Sequence, residues 1–233
     1  MSADLTGSVV VVAGAAGDLG RPTAAACAAA GATVIAAGRS EDRLDEVVAL
    51  DPQRIVAAEV DLLDETATVA WGRSVLAEHG RVDGLLHLVG GWRGGQPIVE
   101  SDSADWAFLH GNIIRTLQNT TRAFRDALEV GPHGRMAIVS TTGLAKPKQT
   151  NAAYLTAKAG AEMWLQCVAE SFRDTNAAAS IVRVMALVTP QMQAAKPEGY
   201  KSYSPVGQVA DWMVDLFGRP VAEVNGLTES MKR

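Results

Sequence analysis

The amino-acid sequence predicts one α/β domain built on a doubly wound parallel sheet, and three observations lead to this prediction. The first is the stretch VVVVAGAAGDLG at 9–20, where a run of valines, typical of a strand covered on both faces, leads into a glycine-rich turn. The second is the alanine-rich helical segment after this turn, which ends at Gly31. The third is an apolar strand at 33–37, which completes a βαβ unit.

The glycine-rich turn has the pattern of a dinucleotide-binding loop. Glycines three residues apart let the backbone approach a pyrophosphate, and the amides and dipole of the following helix stabilise its charge. We therefore predict that the cofactor contacts Gly14, Gly17, Asp18, Leu19 and Gly20. Because a carboxylate beside a phosphate is unfavourable, the Asp18 side chain is expected to point away, and Asp also tolerates a left-handed backbone.

Length and composition limit the classes of protein that the chain can be. With 233 residues it can form one sizeable α/β domain, and we predict a single domain over 1–233. The net charge of -5 and the lack of a basic run argue against nucleic-acid and anionic-membrane partners. The sequence also lacks a leader or a membrane-spanning run, so a soluble, cytoplasmic protein is expected.

Cysteine and histidine usage indicates neither a disulfide nor a metal site. Cys27 and Cys167 both lie in helical, apolar patterns, so we expect two buried thiols. The four histidines lack the spacing of metal ligands.

The residue after the second strand indicates which cofactor is preferred. This position normally faces the adenosine ribose, and here it is Arg39 rather than an acid that would bind a 2′-hydroxyl. A guanidinium suits a 2′-phosphate bidentately, which favours NADP(H) over NAD(H). The alternative is an ordinary exposed arginine.

The rest of the chain continues the alternation of helices and strands. Ser40 is expected to cap a helix that reaches about Leu50, and Asp64 to cap a helix that ends at Gly80. Further strands are predicted at 54–60, 82–91, 135–140 and 180–187, and further helices at 103–130, 151–172 and from Ser204 and Pro205 to about 217. This alternation implies right-handed crossovers and helices on both faces of a parallel sheet, the Rossmann fold.

A candidate acid–base pair lies on the predicted helix at 151–172. Tyr154 and Lys158 are four residues apart, which places the phenol and the ammonium on one helical face. A neighbouring cation favours the phenolate and would bring a tyrosine towards working pH as a proton donor and acceptor. The strand before this helix ends in Ser140 and Thr141.

From Val9 to about Met192, the order of these motifs resembles the short-chain dehydrogenase/reductase family. The resemblance implies hydride transfer between a nicotinamide and a carbonyl or alcohol carbon. In it, Tyr154 exchanges the proton with the substrate oxygen, Ser140 holds that oxygen, and Lys158 binds the nicotinamide ribose and favours the phenolate. Asn112, on the preceding long helix, orders a water that relays protons.

The same resemblance implies further cofactor contacts and an oligomer. Asp61 matches the family's acid near the adenine, Leu62 follows the third strand, Gly90 lies at the end of the fourth, and Thr189 is a candidate for the carboxamide or a phosphate. The segment at about 190–204 corresponds to a mobile lid over the substrate. Family members commonly form a homodimer or a homotetramer, and we expect one here.

The sequence departs from the family pattern at several places. Asp18 replaces the middle glycine of the loop, and the segment from His87 to Gly90 replaces Asn-Asn-Ala-Gly. The serine position is also open: alignment on Gly143 selects Ser140, whereas the usual interval before Tyr154 selects Thr141. We favour Ser140, because the intervening loop contains a proline and can absorb one extra residue.

The leading prediction is an NADP-dependent ketone reductase or alcohol dehydrogenase for a small, largely apolar substrate. Pocket candidates include Trp92 and Trp164, although most tryptophans fill cores. Two alternatives are a nicotinamide-binding sensor or scaffold without turnover, and a dehydratase or epimerase of the same fold. The presence of Tyr154, Lys158 and Asn112 favours an enzyme over a sensor, and the shortness of the C-terminal part argues against the second alternative.

Overall fold

The computed structural model describes residues 3–231, so the first two and last two residues of the predicted domain lie outside the described chain. Its centre is a seven-stranded sheet. The strands of the described chain, including two that lie outside this sheet, are β1 Val9–Ala13, β2 Thr33–Gly38, β3 Ile55–Glu59, β4 Gly84–His87, β5 Arg135–Thr141, β6 Ala178–Val184, β7 Leu187–Val188, β8 Ser204–Pro205 and β9 Thr228–Ser230. The main sheet has the order β3-β2-β1-β4-β5-β6-β9 with every neighbouring pair parallel, and β7 pairs with β8 separately.

Helices cover both faces of this sheet. They are α1 Gly20–Ala29, α2 Glu41–Val48, α3 Glu65–His79, α4 Ser103–Leu109, α5 Thr116–Val130, α6 Ala152–Ser171, α7 Pro190–Ala195, α8 Val206–Asp215 and α9 Val221–Val224. A π-helical turn, His110–Arg115, joins α4 to α5, so the predicted long helix is continuous but is locally widened and underwound. No helix within residues 3–231 is both long enough and apolar enough to cross a membrane.

The valine run of β1 explains why two helical layers form. Val10 and Val12 pack into the core formed with α1, α2 and α8, whereas Val9 and Val11 pack into the core formed with α3, α5 and α6. Alternate residues of a strand point to opposite faces, so a continuous apolar run must be covered twice. Each buried valine contributes about 1.5–3 kcal/mol. The predicted doubly wound, parallel α/β architecture is confirmed.

Several predicted boundaries differ from the structure. The Asp64 side chain accepts from Ala67 N at 2.9 Å and caps α3 as expected, but the Ser40 side chain caps no amide in the described chain. β4 ends at His87, earlier than predicted, and β6 ends at Val184. Residues 204–205 form β8 instead of the first helical positions, so α8 begins at Val206.

The two cysteines also differ from each other. Cys27 is buried on α1, as predicted, and burial raises the pKa of its thiol to about 12. Cys167 is exposed, so the prediction of a second buried thiol was wrong. The apolar residues of α6 extend around more of the helix than the core covers, and a pattern of apolar residues alone did not indicate which of them faces outward.

A buried arginine ties the C-terminal part of the chain to the amino end of the sheet. Arg135, at the start of β5, is 2% exposed. Its guanidinium donates to the carbonyl oxygens of Gly134, Asn176, Leu216 and Arg219 at 2.8–3.0 Å. These bonds fix the loop before β6 and the segment after α8 against the same strand, and β9 then pairs with β6.

Candidate active site

An open cleft lies at the carboxyl ends of β1 to β4, where the strand order reverses between β1 and β4. Ligands of open α/β sheets bind at such a switch point. Of the residues predicted from sequence, the cleft is lined by Gly14, Gly17, Arg39, Asp61, Leu62, Gly90 and Asn112. It is also lined by residues that sequence reasoning did not select: Ala16, Gly38, Arg43, Val60, Leu63, Leu88, Val89 and Thr116.

The glycine-rich turn brings backbone close to backbone at the base of this cleft. Gly14 has the left-handed conformation, with φ of +83°, and an added Cβ would lie 3.0 Å from Val89 N. A Cβ at Gly20 would overlap the Gly14 carbonyl, so Gly20 allows the tight turn into α1. The cradle therefore fits a pyrophosphate approached by main-chain atoms.

Three residues of the turn are placed differently from the prediction. Leu19 is buried in the core and Gly20 begins α1, so both shape the loop and neither lines the cleft. Asp18 is exposed, and the left-handed position of the loop is Gly14 rather than Asp18. The Asp18 carboxylate thus points to solvent, which removes the expected conflict with a phosphate.

The adenosine end of the cleft carries two exposed arginines. Arg39 follows β2 as predicted, and Arg43 lies in the first turn of α2. Arg43 Nη2 donates to Ala16 O at 2.5 Å and so connects α2 to the glycine turn. The spacing of four residues between two arginines at the start of a helix was a signal that could have identified Arg43.

Opposite the arginines, the loop after β3 closes the cleft. Asp61 is exposed, and its Oδ1 accepts from Leu63 N at 3.0 Å, which shapes the turn that brings Leu62 to the cleft. Asn119 Nδ2 on α5 donates to Leu62 O at 2.9 Å and anchors this loop to the helix behind it.

The predicted acid–base pair lies at the N-terminal end of α6. Lys158 Nζ donates to Val139 O at 2.7 Å and lies 5.9 Å from the centre of the Tyr154 ring. A Cβ added to Gly90 would be 3.9 Å from Lys158 Nζ. The amine therefore lies between the end of β5, the phenol and the edge of the cofactor cleft.

Burial dominates the protonation of both groups. It lowers the pKa of Lys158 to about 8, and the carboxylate of Glu162 acts in the opposite direction. Burial raises the pKa of Tyr154, and a hydrogen-bonding interaction with the Thr141 side chain acts in the opposite direction. The phenol is therefore held in its protonated form next to an amine that titrates near neutral pH.

The two hydroxyl residues at the end of β5 have different surroundings. Ser140 Oγ is buried and has no hydrogen-bond partner among residues 3–231. Thr141 Oγ1 accepts from Gly143 N at 3.1 Å and acts on the Tyr154 phenol. The geometry thus favours Thr141, the position that the interval before Tyr154 selected, over the preferred Ser140. The physical reason is that β5 continues through Thr141, one residue beyond its predicted end, and Ser140 lies buried within the strand.

Asn112 lies in the π-helical turn beside the cleft. Its Nδ2 donates to Phe108 O at 2.9 Å, and its main-chain oxygen accepts from the Thr116 hydroxyl at 2.8 Å. A π-helical turn leaves main-chain groups outside the regular α-helical pattern, and such turns are frequent at functional sites. Asn112 in this turn and Thr116 directly after it line the cleft.

His87 replaces the first asparagine of the family pattern and is buried beneath this turn. Its Nε2 hydrogen-bonds with Thr116 Oγ1 at 3.2 Å, and its Nδ1 hydrogen-bonds with Thr120 Oγ1 at 3.0 Å. Burial lowers the pKa of His87 to about 3, and the charge of Lys158 is a second, smaller cause. A neutral imidazole therefore bonds to the first turn of α5, directly after the π-helical turn.

Two further predictions concern residues at the rim. Thr189 Oγ1 accepts from Met192 N at 3.2 Å and caps α7, and the cleft is lined without it. Trp164 is half-buried and donates to Thr121 Oγ1, so it belongs to the core rather than to a substrate pocket. Trp92 is 55% exposed, on a loop held to the start of α6 by Gly95 N donating to Thr150 O at 2.7 Å.

Comparison with known proteins decides the family. The family model described as short chain dehydrogenase matches residues 8–200, which include the glycine turn, Asn112, Tyr154 and Lys158. The chain belongs to the short-chain dehydrogenase/reductase family. This membership confirms the prediction of an NAD(P)-dependent dehydrogenase or reductase at the level of the family.

Individual relatives agree with the family and differ in detail. A short chain dehydrogenase of Pseudocercospora fijiensis is 30% identical over 176 residues, which cover 73% of this chain and 57% of that protein. L-Sorbose reductase from Gluconobacter frateurii, solved with NADPH and L-sorbose, has a TM-score of 0.84 at 18% identity, over 100% of this chain and 97% of that one. NAD⁺-bound xylitol dehydrogenase has a TM-score of 0.83 at 18% identity, over 97% and 98%. At such identities the two structures show the shared fold.

Proposed function

We propose that this protein is an NADP(H)-dependent oxidoreductase that interconverts a carbonyl compound and its alcohol. One observation carries the proposal: a half-buried, protonated Tyr154 lies beside a half-buried Lys158, whose amine donates to Val139 O, at the end of the cofactor cleft. Removing an amine and a phenol from water side by side costs free energy unless the two groups interact with each other or with a ligand. Perturbed groups of this kind cluster at sites of chemistry.

The roles follow from the protonation states. Tyr154 Oη donates its proton to the carbonyl oxygen during reduction and takes it back during oxidation, while the nicotinamide supplies or accepts the hydride. Lys158 stabilises the negative charge that develops on the phenol when this proton leaves. Thr141 is the hydroxyl that orients the same oxygen, because it acts on the phenol and Ser140 is covered.

The preference for NADP(H) rests on Arg39 and Arg43. Both guanidiniums are exposed and line the cleft, as does the carboxylate residue Asp61. One structural neighbour was solved with NADPH and another with NAD⁺, so the shared fold does not determine which cofactor binds, and side chains of the site must do so. Two guanidiniums favour the extra charge of a 2′-phosphate.

The small, largely apolar substrate is supported by the loop that carries Trp92. This loop is fixed at both ends: a Cβ at Gly91 would contact the Phe108 ring at 2.9 Å, and a Cβ at Gly94 would contact Thr150 O at 2.9 Å. The indole is thereby presented near the start of α6, where Tyr154 lies. We propose that it forms one wall of the substrate site.

The sensor alternative receives less support from the same geometry. A protein that only binds the cofactor has no need to keep an acid–base pair desolvated beside its nicotinamide end. The dehydratase or epimerase alternative has no specific feature of the site in its favour.

Paired titrations with NADPH and NADH, read by tryptophan-excited nicotinamide fluorescence, test the cofactor proposal. Arg39→Ala is expected to weaken NADPH binding by about 1.5–3 kcal/mol, the range of a charged hydrogen bond, and to leave NADH binding unchanged. Arg43→Ala is expected to act in the same direction. Arg173→Ala, at an exposed position after α6, is the matched control. Equal losses for both cofactors would refute the 2′-phosphate role.

A further inference from the structure

The face of α6 that carries the acid–base pair also carries a third ionisable group. Tyr154, Lys158 and Glu162 follow one another at intervals of four residues, so they lie along one face of the helix. The Glu162 side chain is buried, with 8% exposure. The proposed reaction has given this carboxylate no role.

An arginine on the sheet forms an ion pair with Glu162. Arg183 Nε donates to Glu162 Oε1 at 2.8 Å, and Arg183 Nη2 donates to Oε2 at 2.5 Å. Arg183 lies on β6 directly opposite Ser140 of β5, on the sheet face that α6 covers. A two-point contact of this kind leaves the carboxylate little rotational freedom.

The surroundings of Lys158 show why a fixed carboxylate matters. The titratable and charged groups that face its amine are Tyr154 and Glu162 on α6, His87 on β4 and, behind Glu162, Arg183 on β6. β5 contributes the uncharged carbonyl of Val139. His87 is neutral, and its coupling to Lys158 is repulsive when both are charged. Among these groups, Glu162 is the one whose charge favours the ammonium form.

We propose that Glu162, held in place by Arg183, is a positioning residue that keeps Lys158 charged while the reaction runs. This inference rests on the proposed function, in which the ammonium stabilises the phenolate of Tyr154. Burial alone would release the proton of Lys158 and remove that support. Glu162 therefore acts on the chemistry through Lys158, without contact with substrate or cofactor, while Arg183 orients the carboxylate and offsets part of its charge.

The two partners have opposite expected effects, which separates this role from simple packing. Glu162→Gln removes the attraction, so Lys158 should lose its proton at lower pH. Arg183→Gln leaves the carboxylate without its neutralising partner, so Lys158 should keep its proton to higher pH. If the pair were purely structural, both substitutions would change stability, and they would not shift the Lys158 titration in opposite directions.

The first readout needs no substrate. The titration of the Lys158 amine is followed by NMR of lysine-labelled protein, with the signal assigned through Lys158→Arg. We expect Glu162→Gln to move the midpoint down by about one pH unit, the lower end of the effect of a neighbouring opposite charge, and Arg183→Gln to move it up. Glu170→Gln, which breaks an exposed pair near the end of the same helix, is the matched control and should leave the midpoint in place. Unchanged or same-direction midpoints in the two buried-pair variants would overturn the inference.

The second readout is the pH dependence of kcat, with NADPH and whichever carbonyl probe from a panel of aliphatic and aromatic ketones reacts fastest. The alkaline limb should follow the NMR midpoints, moving down in Glu162→Gln and up in Arg183→Gln. Glu162→Asp, which retains the charge, should restore most of the wild-type profile if the glutamine variant folds poorly. A wild-type protein without turnover would defeat the proposed function, whereas the NMR titration would still decide the inference.

Discussion

The two ends of the site differ in their chemical groups and in their exposure to solvent. At the adenosine end, main-chain atoms of the glycine turn and two exposed arginines form an open surface. At the α6 end, His87 is buried and Lys158 is half-buried, and both hydrogen-bond with hydroxyl or carbonyl groups. The difference teaches that affinity and reactivity have separate physical origins here. Changes at the first end should alter binding, and changes at the second should alter rates and pH dependence.

The sharpest test of this division is Tyr154→Phe. Removal of the phenol hydroxyl takes away the proton donor in the transition state, so turnover of the best carbonyl probe should fall by about 10²–10⁴-fold. The Kd for NADPH should remain unchanged, because the proposed 2′-phosphate and pyrophosphate contacts lie at the other end. A variant with weakened NADPH binding and a normal kcat would break the comparison.

A smaller effect is expected at the end of β5. Thr141→Val removes the hydroxyl beside the phenol, and we expect kcat to fall by roughly 10–10²-fold, a loss comparable to one hydrogen bond in the transition state. Ser140→Ala removes a buried hydroxyl that has no partner in the described chain and should leave kcat within about twofold while stability is retained or increased. The reverse ranking, measured with the same probe, would restore Ser140 to the role that the alignment on Gly143 assigned.

The last effect is on acid stability rather than on rate, and it concerns His87. The pKa of His87 is about 3 in the folded chain and has a reference value of 6.5, so the unfolded chain binds one more proton between these limits. The stability that neutral His87 contributes is therefore fully present above about pH 6.5 and is lost as the pH falls towards 3. The free energy of unfolding should fall through this window more steeply in the wild type than in His87→Gln, by about 1.4 kcal/mol per pH unit. Urea unfolding at several pH values measures this difference, and parallel curves would contradict it.

The features that could be predicted from the sequence are those with a local or periodic sequence signal. The valine run, the glycine spacing and the Tyr154–Lys158 interval are each contained within a few turns of chain, and the parallel sheet and the family follow from them. The cofactor preference, the residue roles and the oligomer stay predictions. The predicted ends of β4 and β5 were wrong because packing, rather than a local sequence signal, determines where these strands end.

The contacts that sequence reasoning missed join residues far apart in the chain. Glu162 and Arg183 are 21 positions apart, and His87 and Thr120 are 33 positions apart. Each of these residues, taken alone, fits an ordinary polar position on a helix or a strand end. Their significance arises when the parallel sheet brings β4, β5 and β6 under the same two helices.

Arg135 has a consequence for how this scaffold can be re-engineered. Its bonds to the carbonyl oxygens of Asn176, Leu216 and Arg219 make loop length at the amino end of the sheet a fixed dimension, because an insertion there would separate a buried guanidinium from its acceptors. The Trp92 loop and the segment after Thr189 lie at the opposite end of the sheet, beyond the reach of that anchor. Loop exchange between homologues should therefore succeed at the carboxyl end and fail at the amino end, which gives a natural boundary for building libraries of altered substrate range.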